Sequence, residues 1–208
     1  MPVKLIQYWN IRHGKRDDFD AFFTQRFVPG VNAQGHMQMI ASWQVASGEG
    51  PCFIAEGVSN SSDAMAALVM DPEFIVLRNA LLELVEDYST KLLFPTGRID
   101  SPTAAIQPKY KFNRHFNINA EDYYACDAFL AREYFPMMST FGIDMVGDWH
   151  VGIGGTPYAI SESGTDDLSL ISRMLQSPEN QDLTIKLLSM VTAYGCKVLI
   201  PSGHMSPP

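Results

Sequence analysis

Val3-Lys4-Leu5-Ile6-Gln7-Tyr8-Trp9-Asn10-Ile11 opens the chain, and Tyr110-Lys111-Phe112-Asn113-Arg114-His115-Phe116-Asn117-Ile118 answers it in the second half. Val3, Leu5, Trp9 and Ile11 share one parity in the first stretch; Tyr110, Phe112, Phe116 and Ile118 share it in the second. A period of two is the mark of a strand, because successive side chains leave a strand on opposite faces. Lys4, Asn10 and Ile11 meet Lys111, Asn117 and Ile118 in register.

The match extends outward. Asp20-Ala21-Phe22 meets Asp127-Ala128-Phe129, Pro29 meets Pro136, and Gly35 meets Gly142. After a one-residue deletion, Trp43 pairs with Trp149, Val45 with Val151, Gly48 with Gly154, Pro51 with Pro157 and Glu56 with Glu162. Pro72-Glu73, Leu81-Leu82, Tyr88, Lys91, Pro95 and Gly97 return as Pro178-Glu179, Leu187-Leu188, Tyr194, Lys197, Pro201 and Gly203. An ordered series over the whole length with one gap is an internal duplication. It divides the chain into residues 1–100 and 109–208, with 101–108, rich in Pro and small residues, as a linker.

Each copy reads β-α-β-β-α-β, the ferredoxin-like order. The first strand spans 3–12, and the helix after it carries Phe19, Phe22, Phe23 and Phe27 on one stripe. Pro29 and Pro136 are expected to end that helix. Strands at 36–46 and 51–58 flank a Gly-rich turn, and a short helix covers 64–69. A longer helix starts at Asp71-Pro72-Glu73, with Asp as N-cap, and runs through Phe74, Leu77, Leu81, Leu84 and Tyr88; Ser177-Pro178-Glu179 repeats its start. A last strand runs from Lys91 to Phe94. The fold class is therefore α+β. Both parities of the strands carry aromatics, so both sheet faces should be buried, one by helices and the other by packing two sheets face to face.

Of the 208 residues 46% are hydrophobic and 18% charged, enough apolar surface for a real core. The net charge of −8 disfavours nucleic acid and anionic membrane as partners. The basic run Arg12, His13, Lys15, Arg16 is cut by Asp17 and Asp18 and reads as a solvated turn. Three well-separated Cys, with no apolar leader, point to the cytoplasm.

Asn10-Ile11-Arg12-His13-Gly14-Lys15 with Phe19 and Phe22, Trp43, Gly50-Pro51, Asp71-Pro72-Glu73-Phe74 and Leu92-Leu93-Phe94-Pro95-Thr96-Gly97 together resemble NIPSNAP-like proteins of the dimeric α/β-barrel superfamily. In the second copy Asn119-Ala120 replaces the Arg-His before the turn. The resemblance implies two ferredoxin-like units whose sheets enclose a cavity, within one chain as a pseudo-dimer or across a homodimer. The superfamily includes cofactor-free monooxygenases, polyketide cyclases, lactone isomerases and haem-dependent enzymes, so fold alone does not choose among them.

The copies differ where a cavity would be lined. Ile6, Gln7 and Tyr8 become Asn113, Arg114 and His115, and Ser42-Trp43-Gln44 becomes Asp148-Trp149-His150. This gives an acid–base set, with His115 as general base, Arg114 or Asn113 as oxyanion stabiliser, and Asp148 and His150 beside them. Tyr8, Trp9, Trp43, Asn113, Asn117, Trp149 and Glu162 are the expected ligand contacts. Each also has a structural reading: a satisfied core histidine, a capping Asp, an Arg paired with Glu162, core tryptophans, or a glutamate kept in both copies for packing. His115, His150 and Glu162 could form a two-His-one-carboxylate face, but no short-spaced His pair supports a metal. No His falls in an expected helix, which argues against haem, and the glycines at 152–155 fit a hairpin better than a phosphate loop. The expectation is a protein without cofactor that binds a small apolar or aromatic metabolite. It is either a cyclase, isomerase or monooxygenase, or a non-catalytic binding or interaction module.

Overall fold

The computed structural model describes residues 1–99 and 108–205. Most of the expected linker lies outside the described residues. The elements are β1 (Val3–Ile11), α1 (Arg16–Phe22), α2 (Val28–Ala33), β2 (Gln38–Ser47), β3 (Phe53–Ser59), α3 (Ser62–Met70), α4 (Pro72–Leu82) and β4 (Val85–Pro95). The second copy supplies β5 (Tyr110–Ile118), α5 (Tyr123–Phe129), α6 (Phe135–Thr140), β6 (Asp144–Ile153), β7 (Ala159–Thr165), α7 (Leu168–Gln176), α8 (Pro178–Leu188) and β8 (Val191–Pro201). Within the first unit the strand order is β4-β1-β3-β2, and within the second β8-β5-β7-β6, every pairing antiparallel.

Two expectations change. Pro29 and Pro136 do not end their helices. A π-helical turn, Phe23–Phe27 or Leu130–Tyr134, precedes each, and the chain stays helical to Ala33 or Thr140. The wider turn takes up the proline's missing N–H and its ring, which a regular α-turn could not hold. It also stacks Phe19, Phe23 and Phe27 in one column, with successive centroids 5.3 and 5.6 Å apart. The second change concerns Tyr88, expected on a helical stripe. The helix stops at Leu82, and Tyr88 lies on β4. A residue with positive φ, Asp87 (55°) or Ala193 (50°), sits where the β1–β4 and β5–β8 registers shift. The shift is a bulge that lengthens each strand beyond its apolar run. The helix starts hold as expected. Asp71 accepts from the Glu73 and Phe74 amides, and Ser177 from the Asn180 amide, each worth about 1 kcal/mol.

Each sheet buries one face under its helices. In the first unit that core gathers Val3, Leu5, Trp9, Phe53, Ala55, Val85 and Leu92 with Phe19, Phe22, Phe23, Phe27 and Phe74. In the second it gathers Phe112, Phe116, Ala159 and Val191 with Phe129, Tyr134, Phe135, Met137, Met138 and Leu187. Each fully buried side chain of this size contributes roughly 1.5–3 kcal/mol.

The compact units do not follow the repeats to their ends. Residues 201–205 belong to the first unit, and 95–99 to the second. In the first unit the Ser202 amide donates to the Ser42 carbonyl (3.0 Å), and His204 Nε2 lies 2.6 Å from Asp20 on α1. In the second, the Thr96 amide donates to the Asp148 carbonyl (3.0 Å), and Arg98 reaches Asp148 and Asp127. Each repeat's Pro-Ser/Thr-Gly tail thus completes the unit built mainly by the other repeat.

Candidate active site on the helix-free sheet faces

Strand alternation sorts the expected site residues onto two faces. On the face away from the helices, the register of the second unit sets three rows across β6, β7, β5 and β8. They are Asp144–Gly164–Lys111–Leu199, Gly147–Glu162–Asn113–Lys197 and Trp149–Ile160–His115–Gly195. The first unit has the matching rows Gln38–Val58–Lys4–Leu93, Ala41–Glu56–Ile6–Lys91 and Trp43–Ile54–Tyr8–Ser89.

His115, Asn113, Trp149 and Glu162 therefore share one face. Trp149 Nε1 donates to Glu162 Oε2 at 2.9 Å in a fully buried contact. Gly147 makes this bond feasible, because a Cβ there would stand 2.6 Å from Glu162 Oε2 and overlap the indole. Lys111 Nζ lies 3.9 Å from Glu162 Oε1, a looser approach than the 2.9 Å between Lys4 and Glu56. The His115 ring lies across Gly195, where any side chain would collide with it. Asn113 is 7% exposed, and its Oδ1 is buried without a hydrogen-bond donor.

Arg114, Asp148, His150 and Trp9 are corrected to the opposite, helix-packed side. Arg114 follows Asn113 by one residue and so points into the core. There it lies over the Phe112 and Tyr134 rings (4.3 and 4.6 Å), with Met138 Sδ at 2.9 Å and Asn180 Oδ1 at 3.5 Å. Among the described residues it pairs with no carboxylate, Glu162 included, and it cannot stabilise an oxyanion beside His115. Asp148, 1% exposed, accepts from Ser161 Oγ (2.6 Å), Arg98 Nε (2.6 Å) and the Thr96 hydroxyl, so it is a structural ion-pair centre. His150 stacks on Tyr123 of α5 (6.5 Å, 20°). Burial holds its pKa below the usual imidazole range, helped by Arg98 and opposed by Asp148 and Asp127. Trp9 is fully buried among Phe19, Phe23, Phe53 and Tyr88.

Asn117 is spent on the hairpin, its Oδ1 accepting from the Tyr158 amide (2.8 Å) as Asn10 accepts from the Cys52 amide (2.8 Å). Tyr8 and Trp43 share the third row of the first unit's helix-free face.

His115 and His150 lie on opposite faces, so the two-His-one-carboxylate arrangement is not assembled. No cluster of three or more His, Cys, Asp or Glu among the described residues could hold a metal ion. Burial pushes the Cys126 thiol up to about 11 and raises that of Cys196, which leaves both poor nucleophiles.

The sequence reading passed over the lysines. Lys4, Lys91, Lys111 and Lys197 all lie on helix-free faces, four of the chain's seven lysines. The signal was present, because Lys4/Lys111 and Lys91/Lys197 are matched pairs of the repeat at inward strand positions. Arg98 was missed because nothing local shows that the tail crosses to the other unit.

No family model matches the chain, and no curated protein matches it. Among the described residues no helix is long and apolar enough to cross a membrane. Solved structures do match in fold. A provisionally named monooxygenase from Lactobacillus acidophilus NCFM is 12% identical, with TM-score 0.64 over 96% of this chain and 93% of its own. An anthrone oxidase-like protein is 10% identical, with TM-score 0.60 over 100% and 96%. A mutant chlorite dismutase from Candidatus Nitrospira defluvii is 11% identical, with TM-score 0.60 over 98% and 92%. With eight antiparallel strands and flanking helices, the chain has an α+β fold, the ferredoxin-like, dimeric α/β-barrel fold of these neighbours.

Proposed function

We propose that this chain binds a small aromatic metabolite against the helix-free face of its second sheet and acts on it as a cofactor-free oxygenase, with His115 as general base. One observation carries the reading: at matched rows Ile6, Tyr8 and Ser89 of the first unit give way to Asn113, His115 and Gly195. The exchange puts a titratable imidazole on a cleared bed and an amide beside it, flanked by Trp149 and Ile160 as apolar walls. His115 would remove a proton from an activated C–H of the substrate, and the Asn113 amide N–H would hold the resulting enolate oxygen. The enolate itself would supply electrons to dioxygen. One CH₂ and one O₂ would become C=O and H₂O, and no bound redox group is needed. The fold neighbours named for monooxygenase and anthrone oxidase-like activity support this class over cyclase or isomerase chemistry.

Oxygen uptake with anthrone tests it. His115→Ala should lower the rate by about 10²-fold or more while leaving the unfolding midpoint in place. An unchanged rate would sink the assignment.

A second reading has its own support. Lysine, glutamate and tryptophan hold matched rows in both units, and the Lys–Glu approach recurs in each, as a scaffold feature would; this favours a non-catalytic binding or interaction module of NIPSNAP-like type. Ligand binding without turnover by the native chain would favour it. Both readings take a cytoplasmic setting, and either a single-chain pseudo-dimer or a homodimer, which light scattering would tell apart.

A further inference from the structure

We propose that the ligand of the second sheet presents a neutral hydrogen-bond donor, the O–H or N–H of an aromatic ring substituent, to Asn113 Oδ1. This rests on the reading that His115's face is the binding wall. Asn113 sits on β5 in the middle of its row, between Glu162 of β7 and Lys197 of β8. It is 7% exposed, and its Oδ1 is buried without a hydrogen-bond donor from the chain. A carbonyl taken out of water is nearly always matched, because nothing else replaces its lost hydration.

The neighbouring unmatched group cannot serve. Arg114 Nε, one residue along, is itself buried without an acceptor. It leaves β5 on the opposite face, over Phe112 and Tyr134, so the strand holds donor and acceptor apart. In the first unit the matched residue is Ile6, which closes the same place with a buried apolar side chain. The scaffold therefore folds without a polar group there, and the amide answers to what binds. An amide oxygen accepts and never donates, so it selects an O–H or N–H and rejects an oxyanion at the same point. Asn113 and His115 share a face two residues apart, about 7 Å along the strand. A ligand of two fused rings can reach both.

Equilibrium dialysis of the intact chain against 2-naphthol, 2-naphthylamine and 2-methylnaphthalene tests the proposal. The three are alike in shape, only the first two carry a donor, and hydrophobicity alone favours the third. One or both donor ligands should bind about tenfold or more tighter than the methyl compound. Which of them does so tells O–H from N–H. Asn113→Ile, which installs the first unit's residue, should erase the preference. The proposal is overturned if 2-methylnaphthalene binds as tightly as both donor ligands, or if Asn113→Ile keeps the preference. If that variant does not fold, the three ligands on the native chain decide alone. Failure of the proposal remains separate from failure of the oxygenase reading. His115-dependent oxidation of anthrone without any preference for the donor ligands would overturn only the ligand class. No binding of any naphthalene and no anthrone turnover would overturn both.

Discussion

The two sheets share a frame and differ in what they present. Row for row, the helix-free face of the first unit offers Ala41, Ile6, Tyr8 and Ser89 where the second offers Gly147, Asn113, His115 and Gly195. Lysine, glutamate and tryptophan positions stay fixed. The difference couples polarity to space: each new polar contact comes with a glycine that removes an obstructing side chain. Gly147 admits the Trp149–Glu162 bond, and Gly195 admits the His115 ring. The teaching is that a duplicated scaffold can change what one half presents by clearing room as much as by adding polar groups.

The largest effect that would break this comparison lies in the tail sockets. Arg98 and Asp148 are a buried pair, at 3% and 1% side-chain exposure, whereas His204 meets an Asp20 that is 38% exposed. Arg98→Ala should cost about 3–5 kcal/mol in urea unfolding, because it leaves a buried carboxylate without its cation. His204→Ala should cost about 1–2 kcal/mol, chiefly its packing on Phe19, Phe23 and Phe53. Equal losses would mean that the two sockets are energetically alike.

A smaller effect is expected from exchanging the row residues. Gly147→Ala should cost about 1–3 kcal/mol by overpacking and should disturb the fluorescence of Trp149. The reverse exchange in the first unit, Ala41→Gly, should stay within about 1 kcal/mol. A silent Gly147→Ala would mean that the indole bond does not depend on the glycine.

The mildest test uses pH. Burial, then Arg98, depresses the His150 pKa, so the folded state resists protonation there. Between the folded pKa and the unfolded value of about 6.5 the unfolded chain binds more protons, and stability rises with pH. This contribution is intact above that window and is lost as the solution is acidified through it. His150→Gln, which installs the first unit's Gln44, should flatten urea midpoints measured from about pH 7.5 to 5. An unchanged slope would place the effect on another group.

Much of the fold was legible in residues 3–11 and 110–118. Their period of two, repeated with Pro, Gly and Trp landmarks, allows little but a duplicated β-α-β-β-α-β chain. The helical proline was misread because a π turn depends on how Phe19, Phe23 and Phe27 stack, and no local signal announces that. The site was half legible. Comparing the copies singled out His115 and Asn113 from the residues alone, and the register puts both on one helix-free face. It placed Arg114 beside them because neighbours in sequence looked like neighbours in space, whereas a strand sends them to opposite faces. Asp148 and His150 failed for the same reason, being flanked by Trp149, which does face His115's side. The lysines were seen as repeat markers and not as charges, since their burial appears only once the sheet is built.

The exchanged tails set an order of assembly. In the second unit the closing contacts join residues 52 and 50 positions apart, Thr96 and Arg98 to Asp148. In the first unit they join residues 160 and 184 apart, Ser42 to Ser202 and Asp20 to His204. On a ribosome adding roughly 5–20 residues per second, the N-terminal half must wait on the order of 5–20 s for the segment that finishes it. The half made first is thus the half completed last, closed by Ser202 and His204.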